Sequence, residues 1–469
     1  MKKPQTHEAP DTVIRVGKFL TALTQEQPGL EYANAGIGVF HTPGIEMPGW
    51  YKEALARKDR VVPISTYHFA GDSQFLKTTA RLIFGDDVDM GALFLAPSYG
   101  GTQAISLGNH ALRDIVPCGV PTWVNHEATI NAGGSVFYPY KYIDENGEFN
   151  VDQLLASLDR ERVISGLMEG THFRALEAFC RVLGVDSGSL TEAESGNPMI
   201  KSWIESKKIS PLIQAVCNNP LGVDIPQKHW ERIANELVTR EITLQIDLAY
   251  LGLGKGVSED SAMLRFFKTQ GVKMMVYFSY SKFHGHYADR RAGAVLGVNL
   301  EQDPQVGAQI RNSTSAVAID GQRLSTIIES DEGIRTQQRA WLALLRESAL
   351  ANRRILEEAL KGTTGEGIMA PGTGPFFFAR DPEVDDQPQP LMPYLFPELT
   401  QRLGLKVPEG AKDFPNDRLR VVGIPVSPEE SFGTSGVRLA LPTLTPEIAG
   451  EVGATLRMAY VKIKDIGKK

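Results

Sequence analysis

Lys282 ends the run Ser279-Tyr280-Ser281-Lys282, which follows the apolar stretch Met274–Tyr277, and Arg290 comes eight residues later. A lysine at the end of a buried strand stands where α/β folds bind their ligands. Partial desolvation there lowers the amine's pKa and frees it to form a Schiff base. The neighbouring hydroxyls and the planar fork of Arg290 suit a phosphate. Upstream, Ile246-Asp247-Leu248-Ala249-Tyr250 puts a carboxylate at a strand end, able to pair with a protonated ring nitrogen, and a phenol three residues on that can reach a ring hydroxyl. Asn218-Asn219-Pro220-Leu221-Gly222 adds an amide donor in a tight turn.

Three further stretches complete the set. Pro97-Ser98-Tyr99-Gly100-Gly101-Thr102-Gln103 follows a strand and opens an Ala/Leu-rich helix. Small residues there leave backbone N–H groups free to cradle a phosphate, although the pattern is neither GxGxxG nor a Walker loop. In Trp123-Val124-Asn125-His126 the indole can stack on a flat heterocycle and His126 can buffer a buried carboxylate such as Asp247. Arg438 lies inside the strand-like run Gly436–Leu441. An arginine among apolar residues calls for an anion, either a structural carboxylate or a substrate's. Each stretch alone also has an ordinary reading as a turn, a cap or a core residue.

The elements that must position these groups alternate along the chain. Short apolar runs predict buried strands at Ala92–Ala96, Leu212–Cys217, Ile242–Asp247, Met274–Ser279 and Ala292–Val298. Charged stretches of helical period, such as Gln227–Thr239, lie between them. That alternation predicts an α/β fold: a large domain with a mainly parallel sheet flanked by helices, plus a smaller α+β domain. A long amphipathic helix is expected over Asp331–Lys361, with others over Asp11–Gln25 and Pro446–Ile463. Residues 1–60 and 362–469 are assigned to the smaller domain and 61–361 to the larger, with an insert at about 160–210. The proline-rich stretch Asp381–Asp413 reads as a second surface element.

Composition bounds the rest. The 469 residues are 42% hydrophobic and 22% charged, an ordinary globular balance that disfavours a disordered scaffold. A net charge of -7 gives no general pull toward nucleic acid or anionic membranes. Cys118, Cys180 and Cys217 are too scattered for a zinc framework or a disulfide scaffold, so no metal is expected and a cytoplasmic location is. Neither a secretory leader nor a membrane-spanning run is expected.

In order and spacing the set resembles the class I aspartate/aromatic aminotransferases, which are pyridoxal-phosphate enzymes of fold type I. The resemblance runs from Gly36-Ile37-Gly38-Val39 to Gly436–Arg438, through Phe75–Gly85, Trp123–His126, Asn219–Gly222, Asp247–Tyr250 and Ser279–Arg290. It implies pyridoxal 5'-phosphate as cofactor, attached to Lys282, which then serves as acid and base. It implies that Asp247 holds the ring nitrogen, that Tyr250 and Asn219 bond the ring hydroxyl, and that Trp123 stacks on the ring. Gly100, Gly101, Thr102, Ser279, Ser281 and Arg290 would hold the phosphate. Tyr67 would reach it from the neighbouring subunit of a homodimer with shared sites. Gly38, Trp123, Asn219 and Arg438 would face the substrate, with Arg438 on its α-carboxylate. Arg311 falls where a partner-supplied arginine binds a side-chain carboxylate. The implied reaction moves an amino group between an aspartate-, glutamate- or aromatic-type amino acid and a 2-oxo acid.

Departures from the family pattern are visible. The turn reads Asn-Pro-Leu-Gly where Thr is usual at the third place, and His284 and His286 stand close to Lys282. They keep open a decarboxylase, β-lyase or specialised biosynthetic enzyme on the same fold. A nicotinamide-dependent oxidoreductase lacks its GxGxxG, and a non-catalytic module would have no use for Lys282, Asp247 and Arg438 together.

Overall fold

The computed structural model describes residues 12–27, 31–36, 38, 47–58, 71–168, 198–285, 290–300, 304–314, 318–366, 372, 374–385, 387–403, 407–408, 411, 419–426 and 434–466. Its centre is a seven-stranded sheet built from β2 (Leu93–Ser98), β3 (Ile115–Val120), β4 (Val136–Lys141), β5 (Leu212–Gln214), β6 (Leu244–Leu248), β7 (Met274–Ser279) and β8 (Gly293–Val298). The strand β1 (Tyr32–Asn34) precedes them outside this sheet. The order is β2-β8-β7-β6-β5-β3-β4. Only β8 runs antiparallel to its neighbours.

The sequence dictates this sheet through continuous apolar runs rather than alternation. Every residue of β3, β6, β7 and β8 is buried, as expected when helices cover both faces. The period of two then divides the core. Ile246, Val276, Phe278 and Leu296 join one apolar cluster, and Val116, Met275, Tyr277 and Val295 join the other. Gln245 and Asp247 lie on the second face, and Tyr277 donates to Gln245 Oε1 at 2.6 Å.

A third cluster lies apart from the sheet. Val16, Leu20 and Leu23 of helix Thr12–Glu26 pack with Leu356 and Leu360 of the long helix Glu332–Leu360 and with Leu456 and Ile463 of helix Pro446–Ile466. It encloses a three-stranded antiparallel sheet of β9 (Phe376–Arg380), β13 (Ile424–Val426) and β14 (Gly436–Ala440), in the order β13-β14-β9. Between them in sequence come the two-residue strands β10 (Glu383–Val384) and β11 (Gln387–Pro388), and β12 (Arg420–Val422), which pairs in parallel with β1. Trp50, Tyr51 and Ala54 of helix Gly49–Lys58 pack in the sheet's own cluster instead.

Most of the expected elements are present with small shifts. Asp331 is the cap of its long helix rather than part of it, accepting from Ile334 N at 2.9 Å. The strand expected over Leu212–Cys217 stops at Gln214. Its backbone leaves the sheet because Cys217 adopts a left-handed φ of 54° and gives its N–H to Asp224 Oδ1 at 2.6 Å. Of the stretch 160–210, helices Arg160–Met168 and Pro198–Glu205 are described, and 169–197 lies outside the described residues. Among the described residues no helix is long and apolar enough to cross a membrane.

Helix Gly101–Leu112 crosses the sheet at very close range. A Cβ at Gly108 would lie 2.1 Å from the Tyr277 hydroxyl. Replacing a mid-helix glycine by alanine ordinarily stabilises by up to about 1 kcal/mol. Here overpacking reverses the sign, and Gly108→Ala is expected to lower stability by about 1–3 kcal/mol, read as a reduced urea midpoint at unchanged slope. A raised midpoint would show that the helix stands off the sheet.

Candidate functional site

The C-terminal ends of the parallel strands deliver the polar groups to one edge of the sheet. Asp247 is the fourth residue of β6 and is buried. A carboxylate there needs hydrogen bonds. It accepts from Ala249 N at 3.1 Å and meets His126 Nε2 at 3.1 Å. His126, fully buried at the start of helix His126–Ala132, places Nδ1 2.7 Å from Thr122 Oγ1. Burial lowers the imidazole pKa, but the Asp247 hydrogen bond and the neighbouring Cys118 thiol overcome it and hold the ring above its ordinary value. In the protonated ring both N–H groups donate, to Asp247 and to Thr122.

The network continues through Gln214 at the end of β5. Its Nε2 donates to Thr122 Oγ1 at 3.1 Å and to Asn219 O at 3.2 Å, and its Oε1 accepts from Asn219 N at 3.0 Å. The turn is thereby fixed with both ends of the Asn219 amide in use. Nδ2 donates to the Tyr250 hydroxyl at 3.1 Å, and Oδ1 accepts from Arg438 at 3.1 Å. Burial pushes the Tyr250 phenol well above its ordinary range, so it stays protonated.

Lys282 sits in the short helix Tyr280–Phe283, which Ser279 caps by accepting from Ser281 N at 3.2 Å. Its amine lies over the Tyr250 ring, 4.7 Å from the centroid. Burial lowers the amine to about 8; Asp247 opposes the shift, while Arg291 and Arg438 add to it.

Arg438, on the all-buried β14, donates to Gly36 O and lies 4.9 Å over the Phe376 ring. Burial brings it down to about 10. Its Nε is buried without a hydrogen-bond partner, and among the described residues no carboxylate pairs with it. A buried cation without a counter-ion is costly, and an incoming anion relieves the cost. Of the two readings of Arg438, the structural carboxylate is thus not found among the described residues. Gly38 stands beside it, and a Cβ there would lie 3.9 Å from the guanidinium.

The turn after β2 forms another pole. Gly100 has φ 88°, a conformation that favours glycine. Ser98 Oγ donates to its carbonyl at 3.1 Å. A Cβ at Gly100 would be 3.4 Å from Ser281 Oγ, and one at Gly101 would be 3.5 Å from the Ser279 Cβ. Ser281 Oγ is buried without a partner. Thr102 is exposed on the first turn of helix Gly101–Leu112.

The structure thus brings together Gly38, Gly100, Gly101, Asn219, Asp247, Tyr250, Ser279, Ser281, Lys282 and Arg438, with Trp123 edge-on to His126 at 5.3 Å between ring centroids. One expectation comes out differently, and two residues left open find their places. Arg290 is not turned to the Gly100 turn: its Nε pairs with Asp320 Oδ2 at 3.0 Å, because the chain there packs against helix Asp320–Ser330. Arg311 stacks 4.9 Å over Phe94, four residues before Ser98, outside its own chain's cluster, as an arginine meant for a partner's site would be. His284 faces away from the cluster, bonding Glu329 at 2.7 Å beside Arg339. Burial would raise Glu329, but His284 and Arg339 bring it down to about 2. Tyr67 and His286 lie outside the described residues.

Thr122, Gln214, Gly36 and Phe376 were not singled out by their types. A glutamine inside the apolar run Leu212–Cys217 was the one available signal, since buried polar groups are paired.

These groups fit pyridoxal phosphate on the chemistry of the donors. They offer a desolvated amine, a carboxylate fixed by two hydrogen bonds, an unpartnered serine hydroxyl and glycine N–H groups at a helix start.

The family "Aminotransferase class I and II" matches residues 52–448. The chain is 25% identical over 317 residues to an aspartate aminotransferase of Pseudomonas aeruginosa, covering 64% of this chain and 69% of that one. It is 24% identical to an aromatic-amino-acid aminotransferase of Paracoccus denitrificans, covering 80% and 86%. In fold it is similar to an aromatic-amino-acid aminotransferase of Burkholderia pseudomallei that is covalently bound to pyridoxal phosphate (TM-score 0.68, 19% identity, 97% and 99% covered). None of these names favours the decarboxylase or lyase alternative. The matched span takes in Asp247, Lys282 and Arg438, and the chain belongs to the class I and II aminotransferases.

Proposed function

We propose that this aminotransferase, using pyridoxal phosphate held on Lys282, moves the amino group of an aspartate-, glutamate- or aromatic-type amino acid to a 2-oxo acid. One observation carries the reading: Arg438, buried, oriented by Asn219 and Gly36, and without a carboxylate partner among the described residues. The names of the relatives support the substrate class.

When bound, the cofactor supplies an electron-withdrawing ring that stabilises the charge left on the substrate Cα. The chain's residues set up that step. Asp247, fixed by His126 and Ala249 N, would pair with a protonated ring nitrogen. Asn219 and Tyr250 would hold the ring hydroxyl, and Trp123 would cover a face. Arg438 binds the α-carboxylate and so orients the Cα–H bond toward Lys282. At about 8 the Lys282 amine is neutral in a useful share of molecules near neutral pH, so Nζ can take the Cα proton and return it. The donor leaves as a 2-oxo acid before the acceptor enters, which makes the kinetics ping-pong.

The same reading makes the protein a cytoplasmic homodimer with shared sites. The free, buried thiols of Cys118 and Cys217 suit a reducing compartment. It also treats residues 61–361 as the cofactor-binding unit and 1–60 with 362–469 as the smaller one. The packing of Val16 and Leu20 with Ile463 supports this; Leu356 of the long helix crosses to the smaller unit's cluster, and Trp50 and Tyr51 cross to the larger unit's.

The purified holoenzyme is expected to lose its visible absorbance band on adding an amino donor and to regain it on adding a 2-oxo acid. A band that no amino acid bleaches would overturn the transfer reaction. Arg438→Ala should lose about 2–5 kcal/mol of transition-state binding, roughly 30- to 5000-fold in kcat/KM for amino acids, and still bind the cofactor. Equal kcat/KM would remove Arg438 from the substrate. Because burial disfavours the charged amine, the rate at which the apoprotein takes up pyridoxal phosphate should rise with pH and be half-maximal near about 8. A midpoint above 10 would place Lys282 in solvent.

A further inference from the structure

We infer that Arg291, and not Arg290, is the arginine that holds the cofactor's phosphate; this rests on the pyridoxal-phosphate reading above. The two arginines are adjacent where the chain approaches β8, with Arg290 at a bend, and their side chains go to different neighbours. Arg290 goes to helix Asp320–Ser330. Its guanidinium pairs with Asp320, which also accepts from Lys58. The backbone of both arginines lies against that helix, since a Cβ at Gly321 would be 2.5 Å from Arg290 O and 2.8 Å from Arg291 O; it is the side chains that part company.

Arg291 goes to the Gly100 turn. A Cβ placed at Gly100 would be 3.4 Å from its Nε and 3.5 Å from its second terminal nitrogen, and 3.4 Å from Ser281 Oγ. The guanidinium and the unpartnered Ser281 hydroxyl therefore converge on the turn that opens helix Gly101–Leu112. That is a fork of donors, a hydroxyl and free helix N–H groups around one point, a set matched to a phosphate dianion. Its charge also reaches Lys282. Counting eight residues from the lysine picks Arg290; the geometry picks its neighbour.

The phosphate contact is isolated by comparing pyridoxal phosphate with pyridoxal, which lacks the phosphate. Dissociation constants are measured by absorbance titration of the apoprotein, for the unaltered chain and for R291A, R291K and R290A. R291A is expected to weaken pyridoxal phosphate by at least about 30-fold, leaving pyridoxal within about twofold, with R291K between the two. R290A should keep the preference for the phosphate form while lowering the melting temperature through the loss of its Asp320 pair. Loss of the preference in R290A, or its survival in R291A, overturns the assignment. If the unaltered chain binds neither compound, the cofactor reading itself falls and takes this assignment with it.

Discussion

A carboxylate at the end of a wholly buried strand is the constraint around which the site is arranged. Asp247 cannot rely on water, so it must be held by donors. Ala249 N and His126 meet that need, and the further partners, buried except for the half-buried Thr122, must be satisfied in turn. The consequence is a chain of hydrogen bonds from Asp247 through His126, Thr122, Gln214 and Asn219 to Tyr250 and Arg438. It draws one group each from β5, β6, β14 and the loop after β3. Low dielectric strengthens each link and makes each break expensive, which favours a single arrangement of the site.

Arg438 gives that chain its second function. Its strand belongs to the small antiparallel sheet, its bonds go to Asn219 of the large sheet's edge and to Gly36 near the N-terminus, and its guanidinium lies over Phe376. Residues distant in sequence are thus joined at one buried guanidinium. His284 and Glu329 show the contrasting case, a buried pair near Lys282 that turns away from the cluster and whose carboxylate is also met by Arg339.

Much of this was legible in the residues. The buried strands announced themselves as short apolar runs because both faces of the sheet are covered. Lys282, Asp247, Asn219, Tyr250 and Arg438 stood out because a polar group at the end of, or inside, such a run requires a reason. The parts that stayed hidden depend on pairing across strands. Thr122 and Gln214 are common residues whose importance arises only when β3 and β5 lie side by side. The shortening of β5 follows from a left-handed φ at Cys217, a non-glycine residue that gives no such hint. Arg290 and Arg291 differ by one place in sequence and by their neighbours in space, a distinction that spacing from Lys282 does not encode.

Arg438, without a carboxylate partner among the described residues, has a consequence beyond binding. The molecule as a whole carries a net charge of -7, which repels anions at long range. Arg291 and Arg438 both act on the buried Lys282 amine, and positive charge gathered beside a low-dielectric interior focuses field lines that draw anions inward. An approaching anion therefore feels a repulsive exterior and an attractive site. Salt screens the exterior over about 8–10 Å but the buried charges much less. Capture of small anions is thereby governed by where on the surface they arrive rather than by the protein's overall charge.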